Sequence, residues 1–123
     1  MGTSMPDINS PLWQPMANGL RVWDVVEGKG APVAAGDSIT IFYTGWLAAN
    51  GTQFDARRSP ADPITFDLDN LIQGWQQGIP GMEPGGIRRL HIPSALGYGA
   101  DGSGTSIPPN ADLVFEIKVI SHS

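Results

Sequence analysis

The chain has 123 residues, 41% of them hydrophobic, with 12 acidic and 7 basic groups, a formal charge of −5 and no cysteine. That length carries one domain around one core, and the missing cysteine excludes disulfides, thiolate catalysis and cysteine zinc sites. The acidic balance, with Arg57-Arg58 and Arg88-Arg89 as the only adjacent basic pairs, argues against a nucleic-acid groove.

No apolar run approaches the length of a membrane span. No signal-peptide pattern opens the chain, because Pro6, Asp7, Asn9, Pro11 and Pro15 break up its start. Residues 1–4, ahead of a second methionine at Met5, leave room for a cloning remnant that replaced a targeting segment; a cytoplasmic location is the expectation otherwise. Residues 1–18 lack periodicity and read as an irregular arm pinned by Trp13, with the folded domain over 19–121.

Leu20 to Glu27 reads as a strand ended by Gly28-Lys29-Gly30, and 31–37 as a loop. Ser38 to Leu47 is the clearest strand: Ile39, Ile41, Tyr43 and Leu47 alternate with Thr40, Phe42, Thr44 and Trp46. Asn50-Gly51 is a strong hairpin signal, since both residues tolerate positive φ. Asn50-Gly51-Thr52 also matches a glycosylation sequon, but the turn explains it better. Residues 52–56 then fold back and bring Phe54 and Asp55 towards Tyr43. Ile64, Phe66 and Leu68 alternate as a further strand.

Asp69 or Asn70 can cap a short helix in which Leu71, Ile72, Trp75 and Ile79 share a face. Gly74 and Gly78 each cost that helix roughly 1 kcal/mol, so packing must hold it. Ile87 to Ile92 is a strand with Leu90 and Ile92 facing the core and Arg89 and His91 facing out. Asp112 to Ile120 is the last strand, with Leu113, Phe115, Ile117 and Val119 on one side. The fold class is therefore α+β: an antiparallel, strongly twisted five-stranded sheet, a half-barrel, wrapped around one short helix that covers its apolar face.

Three motifs mislead. Gly97 to Gly102 matches G-x-G-x-x-G, but residues 103–109 (with Pro108-Pro109) cannot continue as the helix a dinucleotide site needs, so a flexible glycine loop is the better reading. Asp67 and Asp69 share a strand face, yet two carboxylates fall short of the oxygens a calcium ion takes. Neither His91 nor His122 is placed as the base of a serine relay. What remains is a scattered set, Tyr43, Phe54, Asp55, Leu71, Ile72, Trp75, Tyr98 and Phe115, suited to lining one small apolar cup with a single acid and a few hydroxyls. Taken singly, Tyr43 and Phe115 read as core residues, Trp75 as a helix anchor and Asp55 as a turn cap. The functional reading rests on their fitting one pattern.

That pattern resembles the FKBP-type peptidyl-prolyl cis–trans isomerases, which also bind macrolides of the tacrolimus and rapamycin type. Tyr43-Thr44-Gly45, Phe54-Asp55, Ile72-x-Gly74-Trp75, Gly97-Tyr98-Gly99 and the run from Ile107-Pro108-Pro109 to Phe115 carry it, in order, between about Gly19 and Ile120. The resemblance implies Trp75 as the floor, Tyr43, Phe54 and Phe115 as walls, and Leu71, Ile72 and Ile107 as rims. It implies Asp55 as a buried-edge acid, donors to substrate carbonyls at the Tyr98 hydroxyl and the Ile72 N–H, and Ile64 where relatives often carry an aromatic.

Pro60 departs from the pattern, standing where an arginine pairs with the acid in well-known relatives; Arg57 and Arg58 are the candidate substitutes. Ser103 and Ser106 replace a histidine and an apolar residue. The implied partners are proline-containing peptides, unfolded chains and macrolides, with neither nucleic acid nor membrane, and the implied state is a monomer needing no metal or cofactor. The alternatives are a noncatalytic proline-peptide or chaperone module and, more remotely, a small nucleic-acid-binding barrel.

Overall fold

The computed structural model describes residues 4–123. Its strands are β1 (Gln14–Pro15), β2 (Arg21–Val26), β3 (Ser38–Leu47), β4 (Gln53–Arg57), β5 (Ile64–Asp67), β6 (Ile87–Ile92) and β7 (Leu113–His122), with one short helix, α1 (Gln73–Gly78). They form one antiparallel sheet in the order β1-β2-β6-β7-β3-β4, and β5 also pairs with β3. The α+β class holds, but the sheet has seven strands rather than five. The fold-back segment pairs fully as β4, and Gln14–Pro15 in the arm pairs with Val22 and Arg21.

β3 spans the expected residues because period-2 alternation over ten residues is a strong local signal. Ile39, Ile41 and Tyr43 enter the main core with Leu90, Ile92, Leu113, Phe115, Ile117 and Val119. α1 lies across this face, with Trp75 and Ile79 buried in the same cluster. Neither Asp69 nor Asn70 caps α1: Leu68–Asn70 makes a 3₁₀ turn, and Ile72 stands at the N-cap without a side-chain bond. Gln76 instead ties the entry down, its Nε2 donating to the Leu71 carbonyl at 2.8 Å.

The β3–β4 turn is longer than Asn50-Gly51 alone. Leu47 N–H donates to the Thr52 carbonyl at 2.8 Å, which leaves four residues between the paired positions. Gly51 takes φ +74°, whereas Asn50 uses its side chain to accept Thr52 N–H at 2.9 Å.

From residue 4 onward the arm is folded rather than irregular; residues 1–3, where most of the expected cloning remnant falls, lie outside the described residues. Trp13 is buried with Trp46, Ala48 and Val114, and Met5, Ile8 and Trp23 pack against them. This second cluster covers the sheet face opposite the helix, so Thr44 and Trp46 are buried as deeply as the β3 residues of the main core. Arg89 and His91 do leave the main core, but they meet this layer and not open water. Arg89 pairs with the buried Glu116 at 3.2 Å and lies 4.4 Å over the Trp23 ring. His91 contacts Arg21 and Trp13. Among the described residues, no helix is long and apolar enough to cross a membrane, and no three metal-ligating side chains come together.

Candidate functional site

Strand β3 sets the site. Asn50-Gly51 returns the chain along it, so that Gly45 faces Asp55 and Tyr43 faces Arg57 across the β3–β4 pair. On its other edge Gly45 faces Phe115 of β7. α1 then closes the inner side with Trp75. The result is a cavity of about 300 Å³ lined by Tyr43, Phe54, Asp55, Phe66, Asn70, Leu71, Ile72, Trp75, Tyr98 and Phe115.

Its aromatic rings meet edge to face. Trp75 lies 5.0 Å from Phe115 and 5.4 Å from Tyr43, centroid to centroid, with interplanar angles of 90° and 78°. Phe54 stands 5.5 Å from Phe115 at 90°. Such T-shaped contacts are a favoured geometry for aromatic pairs. Trp75 is only 4% exposed, and its indole Nε1 is buried without a partner among the described residues.

Polar groups gather on one side. The Tyr43 hydroxyl donates to Asp55 Oδ2 at 2.7 Å, and Ala56 N–H donates to Asp55 Oδ1 at 2.9 Å. Burial, and then the bond to Asp55, push the Tyr43 phenol well above its ordinary range. Partial burial and the Asp55 charge raise Tyr98 as well. Both tyrosines therefore stay protonated at neutral pH, as hydroxyls able to donate. The Ile72 carbonyl accepts from Trp75 and Gln76 at 3.0 and 3.2 Å, while its own N–H has no acceptor among the described residues. Tyr98 stands on the β6–β7 loop, which is folded rather than open. Asn110 N–H donates to the Gly99 carbonyl at 2.8 Å, and Ser103 bridges Ile107.

The comparisons with known proteins agree with this geometry. Residues 29–120 match the family model for FKBP-type peptidyl-prolyl cis-trans isomerases. The chain belongs to that family. An FK506-binding protein of Neisseria meningitidis serogroup B is 46% identical over 104 residues, covering 83% of this chain and 94% of that protein. The peptidyl-prolyl cis-trans isomerase Mip of Coxiella burnetii is 37% identical over 113 residues, covering 92% of this chain and 49% of that protein. The crystal structure of a peptidyl-prolyl cis-trans isomerase from Pseudomonas syringae superposes with a TM-score of 0.84 at 35% identity, over 94% of this chain and 84% of that one. This FKBP-type protein is an enzyme that catalyses rotation about peptide bonds preceding proline.

Eight of the ten residues expected to form the FKBP hollow line it: Tyr43, Phe54, Asp55, Leu71, Ile72, Trp75, Tyr98 and Phe115. Ile64 and Ile107 do not. Ile64 packs partly buried against the main core, beside Ile41 in the β3–β5 pair, two residues along β5 from the hollow. Ile107 is 5% exposed and belongs to the core beneath the loop, not to a rim. Phe66 and Asn70 take places that the sequence reading left unassigned. The Ile64–Phe66 alternation contains the signal for Phe66, whereas the FKBP resemblance points to Ile64 on the same face. Asn70 sits on a 3₁₀ turn that no periodicity marks.

Asp55 is also more open than a buried-edge acid: it is an exposed residue anchored by its two hydrogen bonds. Neither candidate arginine pairs with it. Arg57 Nε donates to the Asp62 carbonyl at 2.7 Å, and Arg58 Nη1 is buried without a partner among the described residues.

Proposed function

We propose that the hollow above Trp75 seats the proline ring of the substrate, and that Tyr43, Asp55, Ile72 and Tyr98 form the polar side that acts on the flanking peptide groups. Rotation about an X-Pro bond is opposed by roughly 18–20 kcal/mol of lost amide resonance. At the twisted transition state the amide dipole shrinks, so an apolar enclosure disfavours the planar ground state more than the twisted one. Each 1.36 kcal/mol gained this way is about tenfold in rate. The Ile72 N–H and the Tyr98 hydroxyl supply donors for carbonyls beside the bond, and differential binding requires that they fit the twisted geometry better. No proton transfer or covalent intermediate enters this scheme.

The single observation that carries this reading is the edge-to-face cage of Tyr43, Trp75, Phe54 and Phe115 around a hollow of about 300 Å³. Natural substrates on this reading are unfolded chains and proline-containing peptides, and the protein works as a monomer. Relatives named FK506-binding proteins support a tacrolimus-type macrolide as a competitor for the same hollow. The test is a cis–trans exchange assay on a proline peptide, with and without that macrolide, on the native chain and on Trp75→Leu. Acceleration that the macrolide suppresses, and that falls in the variant, supports the site. Acceleration untouched by both would move the reaction elsewhere on the surface.

A further inference from the structure

Asp55 is the one charged side chain in the lining of the hollow. Its two oxygens accept from the Tyr43 hydroxyl and the Ala56 N–H, which are neutral donors that orient the carboxylate without cancelling its charge. No lysine or arginine among the described residues makes an ion pair with it. Arg57 lies opposite Tyr43 on the neighbouring strand, but its Nε is held by the Asp62 carbonyl. Arg88 and Arg89 are committed to Asp24 and Glu116. Lys118 lies on β7 beside Phe42 and Ile87, three residues along the sheet from the Asp55 row, and Lys29 is anchored by its backbone to Pro84. The chain as a whole carries −5. The mouth of the hollow thus carries a carboxylate that no lysine or arginine among the described residues pairs with, although Arg57 stands nearby on the same strand. Burial is the main cause of the raised pKa of Tyr43 and Tyr98, and the Asp55 charge adds to it in both.

Resting on the reading of this hollow as the substrate site, we infer that Asp55 makes the isomerase charge-selective. X-Pro substrates with a lysine or arginine next to the proline are turned over faster than the same peptides with a glutamate there. The carboxylate attracts the first class and repels the second at the distance of one residue. Because Asp55 is exposed, water weakens the effect. A single charge about 8 Å away in a water-like dielectric separates the two classes by about fivefold in kcat/KM. Arg57 offsets part of that field, so its removal widens the spread.

The test uses three peptides that differ only before the proline, carrying lysine, glutamine or glutamate, measured at low salt and at about 0.5 M salt, where screening acts within a few ångström. The expected order is lysine, glutamine, glutamate. The spread shrinks towards unity in high salt and in Asp55→Asn, and grows in Arg57→Gln. The rate ratio is the readout, so a uniform loss of turnover in Asp55→Asn does not blur it; should that variant be too slow to rank, the salt series on the native protein decides. Three equal accelerated rates, a reversed order, or a spread that survives salt and Asp55→Asn would overturn the inference and leave the isomerase site standing. No acceleration of any peptide would overturn the site itself and the inference with it.

Discussion

Gly74 of α1 rests so closely on Ile92 of β6 that a Cβ on the glycine would lie 2.5 Å from the isoleucine Cγ2. One turn on, Gly78 stands in the same relation to Leu90, at 2.7 Å. Two glycines that weaken the isolated helix therefore let it settle onto the sheet, and that contact brings Trp75 under the hollow. Gly74→Ala raises helix propensity and still destabilises the fold, by about 1–3 kcal/mol, because overpacking outweighs propensity. Chemical denaturation checks the sign, and kcat/KM falls with it as Trp75 shifts. A stabilised variant would show that the contact yields.

The hydrogen bond from Tyr43 to Asp55 couples the cage to the acid. Tyr43→Phe keeps the ring and loses the donor, at a cost of about 0.5–1.5 kcal/mol of stability. Asp55→Ala, at an exposed position, leaves the fold intact. Both lower turnover severalfold, and the double variant is less impaired than the product of the two, since the second change removes a partner already lost. Multiplicative losses in a double-mutant cycle would separate the two residues functionally.

Trp13 ties the N-terminal arm to the sheet face away from the hollow, with its indole N–H donating to the Asp7 carbonyl at 2.9 Å. Trp13→Ala lowers stability by about 3–5 kcal/mol. Turnover per folded molecule stays unchanged, because the arm and the cage lie on opposite faces. Parallel thermal melts and active-site titration distinguish the two effects; a variant as stable as the native chain would make the arm a passive cover.

Acid weakens the fold in two separate windows. Burial, and then the Arg21 charge, hold the His91 imidazole below its ordinary 6.5, against a smaller opposing effect of Asp112. The unfolded chain thus takes up this proton first, and the stability present above pH 6.5 is lost as pH falls from there towards the folded value. Asp37 is held below its ordinary 3.8 by the Ala34 N–H it accepts; burial opposes this, and the bond to His122 adds to the lowering. Its contribution is complete above pH 3.8 and disappears as pH falls through its folded value. Denaturation midpoints followed across both ranges should lose the upper slope in His91→Gln and part of the lower slope in Asp37→Asn. An unchanged upper slope in His91→Gln would assign that window to another group.

Much of this molecule is legible in local pattern. The alternation in 38–47 and 113–119 identifies the two central strands, and Asn50-Gly51 announces the return that carries Asp55 to the Tyr43 hydroxyl. Those signals are local, because the period of a strand and the chemistry of a turn act over a few residues. The motifs that mark the FKBP resemblance sit on or beside these elements, so the family was readable too.

Packing between distant segments decided the rest. α1 starts at Gln73 with no capping side chain at Asp69 or Asn70, and Gly74 lets it rest on Ile92. The burial of Thr44 and Trp46 follows from the arm folding over them. Ile64 and Phe66 share one strand face, and only the placement of Trp75, whose ring lies 6.3 Å from that of Phe66, gives the hollow to Phe66. Alternation tells a side chain which face of the sheet it occupies; where along that face the hollow opens depends on contacts between residues far apart in the chain, and no short window of sequence contains them.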